Sequence, residues 1–176
     1  MIHILTYATA HSRLHADLAV VRLHKAGIAT AQISIMHPPL ARPNSALWLN
    51  GSSEFALSEG ESVLVSGFLS SWLDSRAESD ETNSLVEELV DLGVGRSQSI
   101  GIEDSLLERR VVVAIAEWDE RKVPAILECL QDVGAECIRQ ADIDDRKTRP
   151  AYSLRRARRT ASPIAQALAI GGRLVA

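Results

Sequence analysis

Residues 109–135, RRVVVAIAEWDERKVPAILECLQDVGA, restate in order the pattern of residues 2–28, IHILTYATAHSRLHADLAVVRLHKAGI. Aligned without gaps, Ile4 falls on Val111, Leu5 on Val112, Ala19 on Ile126, Leu23 on Leu130 and Gly27 on Gly134. Each copy opens with a short apolar run and continues at helical period. It then stops at a glycine able to take the left-handed conformation that follows a helix. A second strand-like run follows each stop, QISIMH after the first and ECIRQADI after the second. Each copy therefore reads as a βαβ unit. Two such units in one sheet predict an α+β, ferredoxin-like split βαβ fold with a four-stranded antiparallel sheet.

The strands differ in character, and the difference predicts their places. VVVAIA, residues 111–116, is apolar on both faces and rich in β-branched residues, as a central strand requires. CIRQADI alternates apolar and polar residues, as an edge strand with one wet face does. In the second helix Val123, Ile126, Leu127, Leu130 and Val133 share one face. Pro124 lacks an amide proton and crowds the residue four before it, so the helix is expected to start near Lys122, with Asp119 as a cap.

The first helix carries two apolar stripes. Ala16, Ala19, Val20 and Leu23 form one, and Leu14, Leu18 and Val21 form another on the opposite side. One sheet cannot cover both, and each large side chain left in water forgoes roughly 1.5–3 kcal/mol. The segment between the repeats, the C-terminal tail or another subunit must then cover Leu14, Leu18 and Val21, with that segment the first expectation and a second subunit the next.

That segment, residues 38–108, is a long insertion in a single domain of residues 1–145. Its opening PPLARPNS excludes a helix. ALWLNG and GESVLVSGFLSSWL hold strand-length apolar runs that either pair as a hairpin or continue into a short helix at FLSSWLDS. SLVEELVDLGV reads as a helix with Leu85, Val86, Leu89 and Val90 inward and Gly93 as its stop. Ser97 or Ser99 is the expected cap of a following helix with Ile100, Ile102, Leu106 and Leu107 as its apolar positions. The glycines of GVGRSQSIG follow a helix rather than a strand, so they read as a stop joined to a start and not as a phosphate loop.

The chain has 176 residues and a formal charge of −4. Residues 146–176 contain eight arginines and lysines and no acid, so a basic tail follows an acidic body. Arg155, Arg156, Arg158 and Arg159 are the candidate contacts to an anionic partner, a nucleic acid among them. SPIAQALAIGG reads as a short helix with Ser162 as cap and Pro163 in the first turn. Two cysteines, Cys129 and Cys137, form neither a CxxC pair nor a disulfide framework. No apolar run reaches the roughly 20 residues that span a bilayer, and the N-terminus lacks a signal-peptide pattern. A cytoplasmic protein with no membrane contact is expected.

Chemistry-bearing groups are sparse. His11 and His15, four apart, have ligand spacing for a metal, but Arg22 shares their face, His24 lies opposite and His3 sits at the other end of the strand. They read as titratable surface histidines. Asp142, Asp144 and Asp145 cluster at a strand end, where solvated acids are usual. A sheet that stacks RNA bases needs aromatics on its central strands, and only Tyr7 qualifies. No catalytic set and no cofactor motif stands out.

The string LAVVRLHKAGIATAQISIM, together with VLVSGFLSSWL, SLVEELVDLGVGRSQSIGIEDSLLERRVVVAIAEWDERKVPAILECLQDVGAECI, resembles the bacterial general stress protein family with its small heat-induced domain. The correspondence runs from about residue 3 to residue 143. It falls on Leu23 and Gly27, Ile33 to Ile35, Ser66 to Leu69, Leu89 to Gly93, Ile102 to Leu107, Val111 to Ala116, and Gly134 with Ala135. The middle segment is poorer in glycine than that family's pattern. The resemblance implies a stress-linked protein of no assigned reaction and carries no active-site residues. The expected function is a non-catalytic stress-associated or regulatory module that self-associates as a homodimer or higher homo-oligomer through Leu14, Leu18 and Val21 or a sheet edge. A small-molecule-binding domain using the cleft between insertion and sheet is the alternative.

Overall fold

Both repeats fold as strand, helix, strand. A computed structural model describes residues 2–39, 52–58, 60–74 and 84–144. The first unit is β1 (Ile2–Ala10), α1 (Arg13–Lys25) and β2 (Ile33–His37). From the insertion come β3 (Ser52–Ala56), β4 (Ser62–Gly67), α2 (Phe68–Asp74), α3 (Leu85–Leu92) and α4 (Arg96–Leu107). The second unit is β5 (Val111–Glu117), α5 (Val123–Asp132) and β6 (Glu136–Asp144).

The described strands form one antiparallel sheet in the order β3-β4-β2-β5-β1-β6. VVVAIA lies inside it, paired with β1 through Ala8↔Val113 and with β2 through Ile35↔Val113, and β6 forms one edge. The four repeat strands are thus contiguous, but the sheet is wider than the four strands expected. The cause lies in the insertion, whose β4 adds beside β2 with Ile35 opposite Ser66 and whose β3 then becomes the other edge. SSEFA, too polar to announce itself as a strand, forms β3, whereas ALWLNG, residues 46–51, lies outside the described residues.

Helices cover both faces of the sheet. On one, Ala16, Ala19, Val20 and Leu23 of α1 pack with Ile126 and Leu130 of α5 over Ile33, Ile35, Val111, Val113 and Ile115. On the other, Leu69, Leu85, Leu89, Leu92, Ile102 and Leu106 from α2, α3 and α4 pack over Leu5, Tyr7, Val65, Val112 and Ala114. The described helices of the insertion therefore belong to the face opposite α1. Among the described residues none from the insertion covers Leu14, Leu18 and Val21, which stay exposed where a cover was expected. A strand alternates its side chains between faces, and an all-apolar β5 demands a helical layer on each.

Local signals explain most element ends. Ser84 caps α3 by accepting from the Glu87 amide, and Gly93 ends it with φ +114°. A β-carbon on Gly93 would stand 2.8 Å from the Asp142 carbonyl oxygen, so the glycine also permits close approach to β6. Asp119 caps the 3-10 turn Glu120–Lys122 that leads into α5, with Pro124 in the first turn of the helix. The cap of α4 is Gly95 rather than Ser97 or Ser99. Ser99 is fully buried and returns its hydroxyl to the Gly95 carbonyl at 3.2 Å. This phase turns Ile100 outward, 44% exposed, and turns Glu103 in.

Candidate functional site

Ser12 precedes α1 in extended conformation, and its hydroxyl oxygen accepts from the His15 amide at 3.4 Å. The same oxygen lies 2.7 Å from His15 Nδ1. His15 is thereby part of the helix cap, with its imidazole held against the first turn. His11, one residue before the cap, places Nε2 3.2 Å from Glu136 Oε1 at the start of β6. Arg110 Nη1 reaches Glu136 Oε2 at 3.0 Å, so His11 and Arg110 share one carboxylate. The two imidazoles meet edge to face with centroids 6.2 Å apart. Among the described residues no group of three or more histidines, cysteines or acids is arranged to hold a metal ion. Each histidine instead has a local partner, and the position of His3 in β1, opposite Ile143, is at the far end of the strand from His11.

The outer face of α1 has another character. Leu14, Leu18 and Val21 are 66%, 47% and 43% exposed, side by side on the helix. Charges flank them as internal pairs. Arg13 Nε binds Asp17 Oδ1 at 3.0 Å along one side, and Arg22 binds Asp132 of α5 along the other. The result is a short apolar strip whose flanking guanidinium groups already have carboxylate partners in the same molecule. No described side chain from the insertion reaches it, since those elements lie beyond the sheet.

Two buried polar centres were not apparent in the sequence. Glu117 ends β5 with its side chain fully enclosed. Its Oε1 accepts from the Trp118 and Asp119 amides at 2.9 and 3.0 Å, and its Oε2 accepts from Gln32 Nε2 at 3.0 Å with Lys122 Nζ at 3.8 Å. Gln32 also donates to the Ala116 carbonyl, and its own Oε1 accepts from the Ala29 amide. Every contact ties one connection to another, so this centre closes the sheet end instead of presenting a reactive group. A polar residue ending an otherwise apolar strand was its one sequence signal.

His37 ends β2, is 8% exposed, and donates from Nδ1 to the Pro38 carbonyl at 2.7 Å. Burial pulls its pKa below the ordinary value; the nearby Arg13 guanidinium adds to this, and the carbonyl bond and Asp17 oppose it. The Cys129 thiol is pushed up, chiefly by burial and then by Glu128, which makes it a poor nucleophile. Cys137 is exposed, and both cysteines are free. Tyr7, the candidate stacking aromatic, is 5% exposed within the core under the insertion helices, so it offers no platform to a base. Arg155, Arg156, Arg158 and Arg159, Asp145 and the Ser162–Pro163 helix start lie outside the described residues.

These features define an α+β protein with a six-stranded antiparallel sheet layered by helices. No protein-family model matches the chain, and no curated protein and no solved structure matches it significantly. No helix of the described residues is long and apolar enough to cross a membrane.

Proposed function

We propose that the chain is a non-catalytic, stress-associated module built on a ferredoxin-like core and self-associating through the outer face of α1. The exposure of Leu14, Leu18 and Val21 together carries this reading. The contiguous order β2-β5-β1-β6 supports the ferredoxin-like part, and β4 and β3 are then additions at its edge. The stress association rests on the sequence resemblance over residues 3 to 143. A cytoplasmic setting fits two free cysteines. Among the described residues Leu89, Leu92, Ile102 and Leu106 pack directly on the sheet, which favours self-association over the alternative of a small molecule held in a cleft between insertion and sheet.

The strip sets the expected strength. Its uncovered fractions amount to roughly 3–4 kcal/mol per copy at full burial, or about 6–8 kcal/mol when two copies pair their strips, against an association cost of at least about 4 kcal/mol. Helix α1 alone therefore yields a weak homo-oligomer, and a tighter one needs neighbouring surface of α5. Sedimentation equilibrium of the full chain over a wide concentration range tests this. Mass should rise with concentration in the wild type and stay monomeric in Leu18→Asp, whose melting temperature should hardly change because the side chain is half in water. A wild type that stays monomeric at every concentration overturns the reading.

A further inference from the structure

The two repeats are related by an internal two-fold axis. Tyr7 and Ala114, equivalent positions of the two copies, face each other directly across β1 and β5, so the axis passes between them. It exchanges β2 with β6 and α1 with α5. The two sides it relates are finished differently: beyond β2 the insertion adds β4, whereas among the described residues no strand lies beyond β6. The helices register the difference. Val20 of α1 is fully buried in the core over β2. Its counterpart on α5, Leu127, is only partly buried and packs in neither core. Leu127 lies on the flank of α5 away from α1, since Asp132 on the other flank is the residue that Arg22 reaches. It therefore overhangs the open edge of β6.

The sequence of β6 defines what fits that edge. A shift of register against β1 and the positive φ of Cys137, 51°, mark a bulge, so the regular edge begins at Arg139. From there side chains alternate, with Gln140 and Asp142 toward the α5 layer and Arg139, Ala141 and Ile143 toward the insertion layer. Arg139, Gln140 and Asp142 are exposed. Arg139 donates to the Ile138 carbonyl of its own strand and has no carboxylate partner among the described residues. A strand laid along this edge thus meets a carboxylate on one face and a guanidinium on the other. A second copy of β6 does not satisfy both. Directly opposed residues share a face of the sheet, and Arg139 and Asp142 occupy different faces, so two paired copies never set them opposite each other. A strand of different sequence can answer both charges and cover Leu127 with β-branched residues.

We propose that β6 is a docking edge for an extended segment of another protein, bound as a further antiparallel strand with a cation opposite Asp142 and a carboxylate opposite Arg139. Backbone hydrogen bonds supply the affinity, and the two charges set register and orientation. The edge is separate from the α1 strip and does not rest on self-association.

The test uses the full chain, labelled on amides and leucine methyls, and two capped peptides of one composition. The first reads threonine, lysine, threonine, valine, glutamate, valine, so that lysine falls opposite Asp142 and glutamate opposite Arg139. The second has lysine and glutamate exchanged. The first should shift the amides of residues 139–143 and the Leu127 methyls, slow amide exchange within that stretch several-fold at saturation, and leave the Leu14 and Leu18 methyls in place. The second should bind about fivefold more weakly or worse, because both opposed pairs become like charges. In Arg139→Glu with Asp142→Lys the preference should invert while circular dichroism stays native. No shift with the first peptide at millimolar concentration overturns the proposal, and so does equal binding of the two peptides. Shifts without slowed exchange reveal side-chain attraction alone and overturn strand addition. Exchange in β6 that slows as protein concentration rises, with no peptide present, gives the edge to a second copy and overturns the foreign strand. Leu18→Asp, which removes the α1 contact, should bind the first peptide as the wild type does, so failure at this edge and failure of self-association are read separately.

Discussion

Glu117 shows how one buried carboxylate can organise three connections. It accepts from two successive amides and from Gln32, with Lys122 as counter-charge, so its removal leaves several donors unpaired rather than one. Glu117→Ala should destabilise the protein by about 2–4 kcal/mol, read as a lower urea midpoint. An unchanged midpoint would show that solvent replaces those bonds freely. Gly67 is constrained by space. At φ +93° its added β-carbon would lie 2.1 Å from the Ile33 carbonyl oxygen and 2.8 Å from Ser34 Cα, both backbone atoms with no room to move. Gly67→Ala should cost about 3–4 kcal/mol and lower the melting temperature by roughly 10 °C; a small effect would mean that β4 can shift away from β2.

His37 adds a pH dependence whose sign follows from its burial. Its folded pKa lies below the ordinary 6.5, so between the two values the unfolded chain holds more protons than the folded one. The stabilisation is fully present above the ordinary value and is lost as pH falls towards the folded value. Urea midpoints of the wild type should therefore fall more steeply on acidification below about pH 6.5 than those of His37→Gln. The groups that face the ring are the Arg13 and Asp17 side chains and the Pro38 carbonyl, and all three remain in the variant. Parallel curves would remove His37 from the account.

At the scale of elements, what could be read from the sequence is what periodicity and end signals encode. The repeat gave β1, α1, β2, β5, α5 and β6. Apolar content alone placed VVVAIA inside the sheet and the alternating CIRQADI at its edge. Gly93 and Ser84 marked the ends of α3 because left-handed glycines and hydroxyl caps act within one turn. The missed features are those settled by distant partners. SSEFA is a strand because β4 offers it a free edge, and its own composition gives no sign of that. Helix α4 is capped by Gly95, and Glu103 turns inward, where its Oε1 accepts from the Ser58 amide at 2.9 Å, a partner 45 positions away on the same face of the sheet. Glu103→Ala should release that turn, so hydrogen exchange at the Ser58 amide should accelerate at least tenfold while the amides of α5 keep their rates. Equal protection in the variant would show that the bond contributes little. The insertion's face was equally illegible, since an amphipathic α3 fits either side of a sheet whose centre is apolar throughout.

For the whole molecule, the sheet is shared property between two helical layers. Val113 and Ile115 point to one layer while Val112 and Ala114 of the same strand point to the other, so neither core can dissolve without exposing half of β5. The layers should then unfold together, although their side chains do not touch. Ile126→Val in one core and Ile102→Val in the other should each cost about 0.5–1.5 kcal/mol. The double variant should show their sum within about 0.5 kcal/mol, because the sheet separates the two sites. Circular dichroism and tryptophan fluorescence should trace one urea transition in all four proteins. Two separate transitions would mean that the insertion layer detaches as its own unit, and the repeat core with its outward α1 strip would then be able to exist without it.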